Sequence, residues 1–320
     1  MKTKRQLGQT DIAVTPIGLG LMQFAGGSGF LKFMFRQIPE NKMIQIVNVA
    51  LSGGINWFDT AEIYGNGSSE KSLASALKAI GKPRSDVVIA TKWRPFLRTA
   101  SNIKKTIDTR LHCLDGYGID LYQVHFPYSL SSIKEVLNQM AGLVTEGKIK
   151  SIGVSNYSAK QMHQSNEVLL ERGLSLASNQ VHYSLLNRKI EKNGILETAK
   201  ELGISIIAYS PLESGLLTGK FHDSTDSFAN APFFRKARLK SQLEKSAELI
   251  QKLREIGQNY NATPAQVALN WLINFHGETI VAIPGASTAE QAQANAATMN
   301  FTLSPEELAQ IDKVSRKFLK

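Results

Sequence analysis

The feature that most constrains this chain is a repeat of pattern rather than of words. Eight short apolar runs, at residues 17–20, 55–58, 87–91, 121–124, 149–154, 176–179, 204–209 and 279–283, alternate with longer segments of helical periodicity. Most runs are continuously apolar instead of alternating, as expected of parallel strands covered on both faces. Through the seventh they recur at roughly 30 residues, the length of one strand–helix unit. The spacing then opens to about 70 residues before the eighth, room for an insertion on a barrel.

The intervening segments carry helix signals. Ile133, Val136, Leu137, Met140, Leu143 and Val144 fall at i, i+3, i+4 and i+7 spacing, so one face is buried. Ser132 with Glu135, and Ser158 with Gln161, read as capping boxes. Thr263-Pro264 and Ser304-Pro305 place a cap residue before a proline at the first helical position. Gly81, Gly147 and Gly203 mark helix ends. The wide gap contains a polar loop over 215–238 and two helical patterns, 242–260 and 264–275. The first fifteen residues, with a turn signal at 8–11, predict a hairpin over the N-terminal end of the strands. The fold expected is an α/β (β/α)8 barrel forming one domain over 1–320, with extra helices between strands seven and eight. An open doubly wound sheet is the alternative that the pattern leaves open.

Charge and cysteine narrow the function. There are 37 basic and 27 acidic residues, a net charge of +10, which favours an anionic ligand such as a nucleotide phosphate. The excess is dispersed and no basic stripe is interleaved with aromatics, so nucleic acid is not an expected partner. Cys113 is the only cysteine, so neither an internal disulfide nor a cysteine metal cluster is possible. A lone cysteine suits a reducing cytoplasm. The start MKTKRQLGQT is not followed by the apolar core of a signal peptide, and no apolar run approaches membrane-spanning length.

The residues that end the apolar runs are polar. The second run ends at Asp59, the third at Lys92, the fourth at His125, and Tyr64 lies just past Asp59 in NWFDTAEIYG. In a barrel these ends face one cavity, where active sites gather. Singly, each has an ordinary role: Asp59 as a helix cap, Lys92 as a solvated lysine, Tyr64 as packing, His125 as a satisfied core histidine. Together they make a proton-handling group. An ammonium near a tyrosine favours the phenolate and lowers its pKa, and a buried lysine needs an anion beside it. Lys92 and Asp59 therefore tune Tyr64 as a general acid. Neutral His125 orients a substrate oxygen.

Further along, Ser155-Asn156 ends the fifth run, Gln180 lies near the end of the sixth, and Tyr209-Ser210 ends the seventh. Amides can hold a carboxamide, and Tyr209 can stack on a flat heteroaromatic ring. A nicotinamide has both features, which makes hydride transfer the natural partner reaction. After the eighth run, IPGAST leads to Ser287 or Thr288 as the cap of a helix whose N-terminus is an anion site. By contrast Gly26-Gly27-Ser28-Gly29 lacks the Lys-Ser/Thr ending of a phosphate-binding loop.

These motifs, KRQLGQTDIAVTPIGLG, GINWFDTAEIYG, ATKW, DLYQVHFP, IGVSNYS, NQVHYSLL, AYSPLESGLLTGK and AIPGAS with Gln291 and Asn295, resemble the aldo-keto reductases over nearly the whole chain. The resemblance implies metal-free, reversible reduction of aldehydes or ketones, with Asp59, Tyr64, Lys92 and His125 as the catalytic tetrad. It implies nicotinamide contacts from Ser155, Asn156, Gln180 and Tyr209. Ser210, Pro211, Leu212 and Lys220 would lie along the pyrophosphate, and Ile283, Gly285, Ser287, Gln291 and Asn295 toward the adenosine. NADP(H) is expected ahead of NAD(H), although residues 285–288 hold no Lys or Arg to pair with a 2′-phosphate. The loop after the first run is unusually apolar, and Phe33, Phe35 and Trp93 are expected to line a hydrophobic substrate pocket. The rival readings are a slow NADPH-binding sensor subunit resembling potassium-channel beta subunits, and a metal-free isomerase on the same barrel. Nothing in the sequence sets the oligomeric state or the substrate.

Overall fold

The structure, a computed structural model, describes residues 3–25, 37–223 and 233–319. Two short strands, β1 (Arg5–Gln6) and β2 (Ala13–Val14), pair antiparallel as the expected hairpin. Eight parallel strands follow: β3 (Leu19–Gly20), β4 (Trp57–Asp59), β5 (Val88–Trp93), β6 (Ile119–Val124), β7 (Ile149–Ser155), β8 (Leu176–His182), β9 (Ser205–Tyr209) and β10 (Ile280–Ala282). They hydrogen-bond in sequence order. The first and last then meet: Gly18 N donates to Ala282 O at 2.8 Å, Ala282 N to Pro16 O at 2.9 Å, and Gly20 N to Pro284 O at 3.1 Å. The sheet thus closes into the (β/α)8 barrel, and the open-sheet alternative fails at this seam.

Helices α1 (Glu40–Ser52), α2 (Ser68–Ala79), α3 (Ser101–Cys113), α4 (Ile133–Thr145), α5 (Ala159–Leu170) and α6 (Ile195–Glu201) connect successive strands. Those expected to start at Ser132, Ser158, Thr263 and Ser304 do so, each with both halves of its capping box formed. Between β9 and β10 lie α7 (Lys220–Asp223), α8 (Phe233–Gln258) and α9 (Pro264–Asn274); α10 (Ala289–Ala297) and α11 (Pro305–Ser315) complete the chain. The loop expected over 215–238 is corrected here. A 3-10 turn (Glu213–Thr218) and α7 occupy its start, and α8 has begun by Phe233. That helix start carries no acidic residue in its first turn, so the sequence offers no signal for it.

Apolar side chains form two separate cores. One fills the layer between barrel and helices. The other lies inside the barrel, where Trp57, Ala90, Leu121, Ala177, Ile207 and Val281 pack with Leu7, Ile12 and Val14 of the hairpin region. Gly8 N donates to Ser205 Oγ at 2.8 Å at the start of β9, and Trp57 Nε1 to Thr15 O at 2.8 Å. The N-terminal mouth is therefore plugged with hydrocarbon, and polar chemistry is left to the opposite end. Trp57 is fully buried. Trp57→Ala is expected to cost about 3–5 kcal/mol, the usual range for emptying a large aromatic site. Urea denaturation measures this; a loss under about 1 kcal/mol, the scale of an ordinary surface change, would show that the plug does not brace the barrel.

Candidate active site

Strand alternation decides which side chains reach the open end. On β4, Trp57 and Asp59 face inward; on β5, Ala90 and Lys92 do; past β6, His125 follows Leu121 and Gln123 on the inner face. Lys92 Nζ donates to Asp59 Oδ2 at 2.5 Å and to Thr60 O at 2.7 Å. It also lies 5.1 Å from the centroid of the Tyr64 ring. An ammonium has three hydrogens, and two of them are placed on the Asp59 and Thr60 oxygens. Lys92 is 0% and Asp59 1% exposed. Tyr64 sits on the turn after β4, its N–H donating to Ala61 O, with its ring edge-on to His125 at 5.9 Å between centroids. His125 stacks on Phe126 at 4.5 Å, and its buried Nδ1 has no partner among the described residues. The structure thus gathers Asp59, Tyr64, Lys92 and His125 at one point.

The electrostatics follow from burial and these contacts. Burial alone pulls the Lys92 pKa down, but Asp59 and Tyr64 outweigh it and hold the ammonium above its ordinary value. Burial pushes the Tyr64 phenol up, Lys92 pulls it down, Asp59 pushes it up, and the net direction is up. This corrects the expectation of a lowered tyrosine: desolvation, invisible in the sequence, exceeds the pull of Lys92. Tyr64 therefore keeps its proton. Burial, with Lys92 adding to it, pushes the His125 pKa down to about 2, so the ring is neutral at ordinary pH.

Gln123 is a site residue that the sequence reading missed. Its Nε2 donates to Asp59 Oδ1 at 3.1 Å. Gln180 Nε2 donates to the same oxygen at 2.8 Å and to Gln123 Oε1 at 3.3 Å. The available signal was an amide inside the apolar run DLYQV, on the same face as His125.

The second group of expected residues adjoins the first. Ser155 Oγ donates to Gln180 O at 2.9 Å, Asn156 Nδ2 to Ser155 Oγ at 3.0 Å, and Tyr209 Oη to Asn156 Oδ1 at 3.0 Å. Asn156 has φ +62°, an uncommon left-handed setting that turns its side chain along the strand ends. Tyr209 stacks with His182 at 5.4 Å. Ser210, Glu213 and Ser214 are also left-handed, which curls the segment through Pro211 and Leu212 around the Glu213 carboxylate. That carboxylate, another residue the sequence reading missed, accepts from Ser184 Oγ at 2.8 Å and lies 2.5 Å from His182 Nε2. Lys220 ends this turn against Gly215.

Across the mouth, Ile283 closes the inner core and Gly285 touches Gln23 so closely that a Cβ there would stand 2.2 Å from Gln23 Nε2. Among the described residues Gln23 Oε1 is buried without a partner. Ser287 N donates to Gln291 Oε1 at 2.8 Å, and Asn295 Nδ2 to Gly285 O at 3.3 Å, fixing the segment that leads into α10. Thr288, not Ser287, caps that helix.

Phe33 and Phe35 lie outside the described residues. Trp93 does not line the mouth as expected. It is 0% exposed, belongs to the outer core, and donates from Nε1 to Asn102 Oδ1 at 3.0 Å. Being next to the inward Lys92, it must face outward. Instead, the loops after β5 and β6 expose Phe96, Leu97, Tyr128 and Leu130. These loops are tied by Leu130 N to Arg98 O at 2.9 Å, and Arg98 Nη1 reaches Glu62 Oε1 at 2.7 Å.

Comparison with known proteins agrees with this architecture. The model of the aldo/keto reductase family matches residues 16–316. The chain belongs to this family, and so to a class of oxidoreductases that generally bind nicotinamide cofactors. It is 32% identical to aldo-keto reductase str7 of Strobilurus tenacellus, covering 98% of this chain and 92% of that one. It is 36% identical to an uncharacterized oxidoreductase of Mycobacterium tuberculosis, covering 95% of this chain and 90% of that one. Among solved structures, a thermostable aldo-keto reductase in complex with the inhibitor epalrestat superposes with a TM-score of 0.77 at 26% identity, over 98% of this chain and 99% of that one. No described helix is long and apolar enough to cross a membrane.

Proposed function

We propose that this protein reduces aldehydes or ketones to alcohols, reversibly, with NADP(H) ahead of NAD(H). The residues present suit a nicotinamide cofactor. Two amides and Tyr209 stand beside the tetrad, Gln23 Oε1 is an acceptor with no partner among the described residues at the close approach to Gly285, and the N-terminus of α10 opens nearby. Ser155, Asn156, Gln180 and Tyr209 would hold the nicotinamide. Ser210, Pro211, Leu212 and Lys220 would follow the pyrophosphate, and Ile283, Gly285, Ser287, Gln291 and Asn295 the adenosine. The bound cofactor supplies the hydride.

This chain's part is the proton. Tyr64 donates its hydroxyl hydrogen to the carbonyl oxygen; that O–H bond breaks and the electron pair stays as phenolate. Lys92, set beside the Tyr64 ring, stabilises the new charge. Asp59 keeps Lys92 cationic in a site that excludes water. Neutral His125 steadies the substrate oxygen. The observation that carries this reading is the buried ammonium of Lys92, hydrogen-bonded to Asp59 and set beside the Tyr64 ring. General acid catalysis of this kind supplies about 10² to 10⁴ in rate.

The pH profile follows from the signs above. With Tyr64 raised above its ordinary value and His125 down at about 2, neither changes charge near neutrality. Reduction is expected to be flat through the range in which histidine ordinarily titrates, about 6.5. It falls only as Tyr64 ionises on the alkaline side. A descending limb in kcat near the ordinary histidine pKa would contradict the neutral, buried His125.

A net charge of +10 suits the pyrophosphate that NADPH and NADH share. The exposed apolar loops at the mouth support substrates with an apolar body. Titration with NADPH and NADH side by side, followed by a panel of apolar and sugar aldehydes, tests both. Tighter NADPH binding and faster turnover of apolar carbonyls are expected. Equal binding of the two cofactors sinks the preference, and faster sugar turnover sinks the substrate class.

A further inference from the structure

Gln123 has no place in the reaction as described, yet it is 0% exposed and lies among the most polar groups of the barrel interior. It projects from β6 opposite Lys92 of β5. Its side chain runs across Gly153 of β7: a Cβ there would come within 3.0 Å of Gln123 Cγ and 2.5 Å of Ser178 Oγ. A glycine at this point leaves the space in which the amide lies.

The three side chains Asp59, Gln123 and Gln180 come from the alternate strands β4, β6 and β8 and form one closed set of hydrogen bonds. Their chemistry fixes the direction of each bond. A carboxylate only accepts, so both amides must turn their NH2 groups toward Asp59 Oδ1. Gln180 spends its second N–H on Gln123 Oε1. Gln180 Oε1 is then turned away from Asp59, and among the described residues no donor reaches it. Any group seated against it must donate a hydrogen. The other consequence falls on the tetrad. Two amide donors occupy Oδ1 and leave Oδ2 for Lys92.

We propose that Gln123 is a positioning residue that locks the Gln180 carboxamide, so that Gln180 Oε1 accepts from the carboxamide NH2 of a nicotinamide while its Nε2 holds Asp59. The inference rests on the reductase reading above. It makes the seat of the nicotinamide and the charge of the tetrad parts of one hydrogen-bonded unit. Gln123 touches neither substrate nor cofactor; it acts through Gln180 and Asp59.

The test uses the full chain and binding alone. NADPH is compared with 2′-phospho-ADP-ribose, which keeps the adenosine and pyrophosphate and lacks the nicotinamide, by quenching of tryptophan fluorescence. Gln123→Met keeps length and removes every hydrogen bond. It is expected to weaken NADPH about tenfold, the scale of one lost hydrogen bond, and to leave 2′-phospho-ADP-ribose unchanged. Gln180→Met is expected to give a similar selective loss. The double variant is expected to match Gln180→Met alone, because the two amides act as a unit. Loss of both ligands in parallel, loss of neither, or losses that multiply in the double variant would each overturn the proposal. If Gln123→Met does not fold, Gln123→Leu gives the same comparison. Failure of the reductase reading shows separately, in the wild-type chain, as no turnover with any carbonyl.

Discussion

Tyr64→Phe is expected to bind NADPH as the wild type does and to lose carbonyl reduction by about 10² to 10⁴-fold, the usual worth of a positioned general acid. The change deletes one oxygen and keeps the ring that meets His125 edge-on at 5.9 Å. Lys92 keeps both of its acceptors, Asp59 and Thr60, so the buried ion pair survives. Binding and chemistry are therefore separable in this variant. Loss should appear in kcat more than in KM, because the proton is transferred only in the transition state. Activity close to wild type would remove Tyr64 from the role of acid and leave the buried ammonium without a purpose in the reaction.

Lys92→Met has the second large effect, and it falls on stability as well as rate. The variant leaves Asp59 1% exposed with amide donors on Oδ1 and no cation on Oδ2. Breaking a buried pair from one side typically costs about 3–5 kcal/mol, because a charge is stranded in low dielectric. The reduction rate falls with it, since nothing then stabilises the Tyr64 phenolate. Adding Asp59→Asn to Lys92→Met removes the stranded charge. The double variant is expected to recover most of the stability and none of the activity. Chemical denaturation of the single and double variants, beside their turnover, checks this; a single variant as stable as wild type would mean that the pair is solvated. The pH direction is also fixed. The Lys92 pKa is raised in the fold, so its contribution is whole below the unfolded value of about 10.4 and is lost as pH rises through the folded value.

How much of this was legible in the sequence depended on the kind of signal. The strands were legible because buried parallel strands are short apolar runs, and β4, β5 and β6 deliver Asp59, Lys92 and His125 within a residue of where those runs stop. The helix starts at Ser132, Ser158, Thr263 and Ser304 were legible because a capping box is local chemistry. Three other features depend on the third dimension. Trp93 was misplaced because its neighbour Lys92 drew it toward the site, whereas strand alternation sends it outward to Asn102. The Tyr64 pKa had the wrong sign because a sequence shows the neighbouring ammonium and hides the burial. Gln123 and Glu213 were passed over because each finds its partners far along the chain, at Asp59 and at Ser184. A buried amide or carboxylate declares itself only through such partners.

The family assignment leaves the catalytic claim to be measured, and one measurement bears on it most directly. NADPH consumption by the wild-type protein is followed over many turnovers with an apolar aldehyde, and the alcohol formed is quantified in the same reaction. Sustained turnover is expected, with one alcohol formed for each NADPH consumed. Oxidation that stops after one equivalent per protein, or product formed with no nicotinamide consumed, would contradict the account, the first in favour of a cofactor sensor and the second in favour of an isomerase.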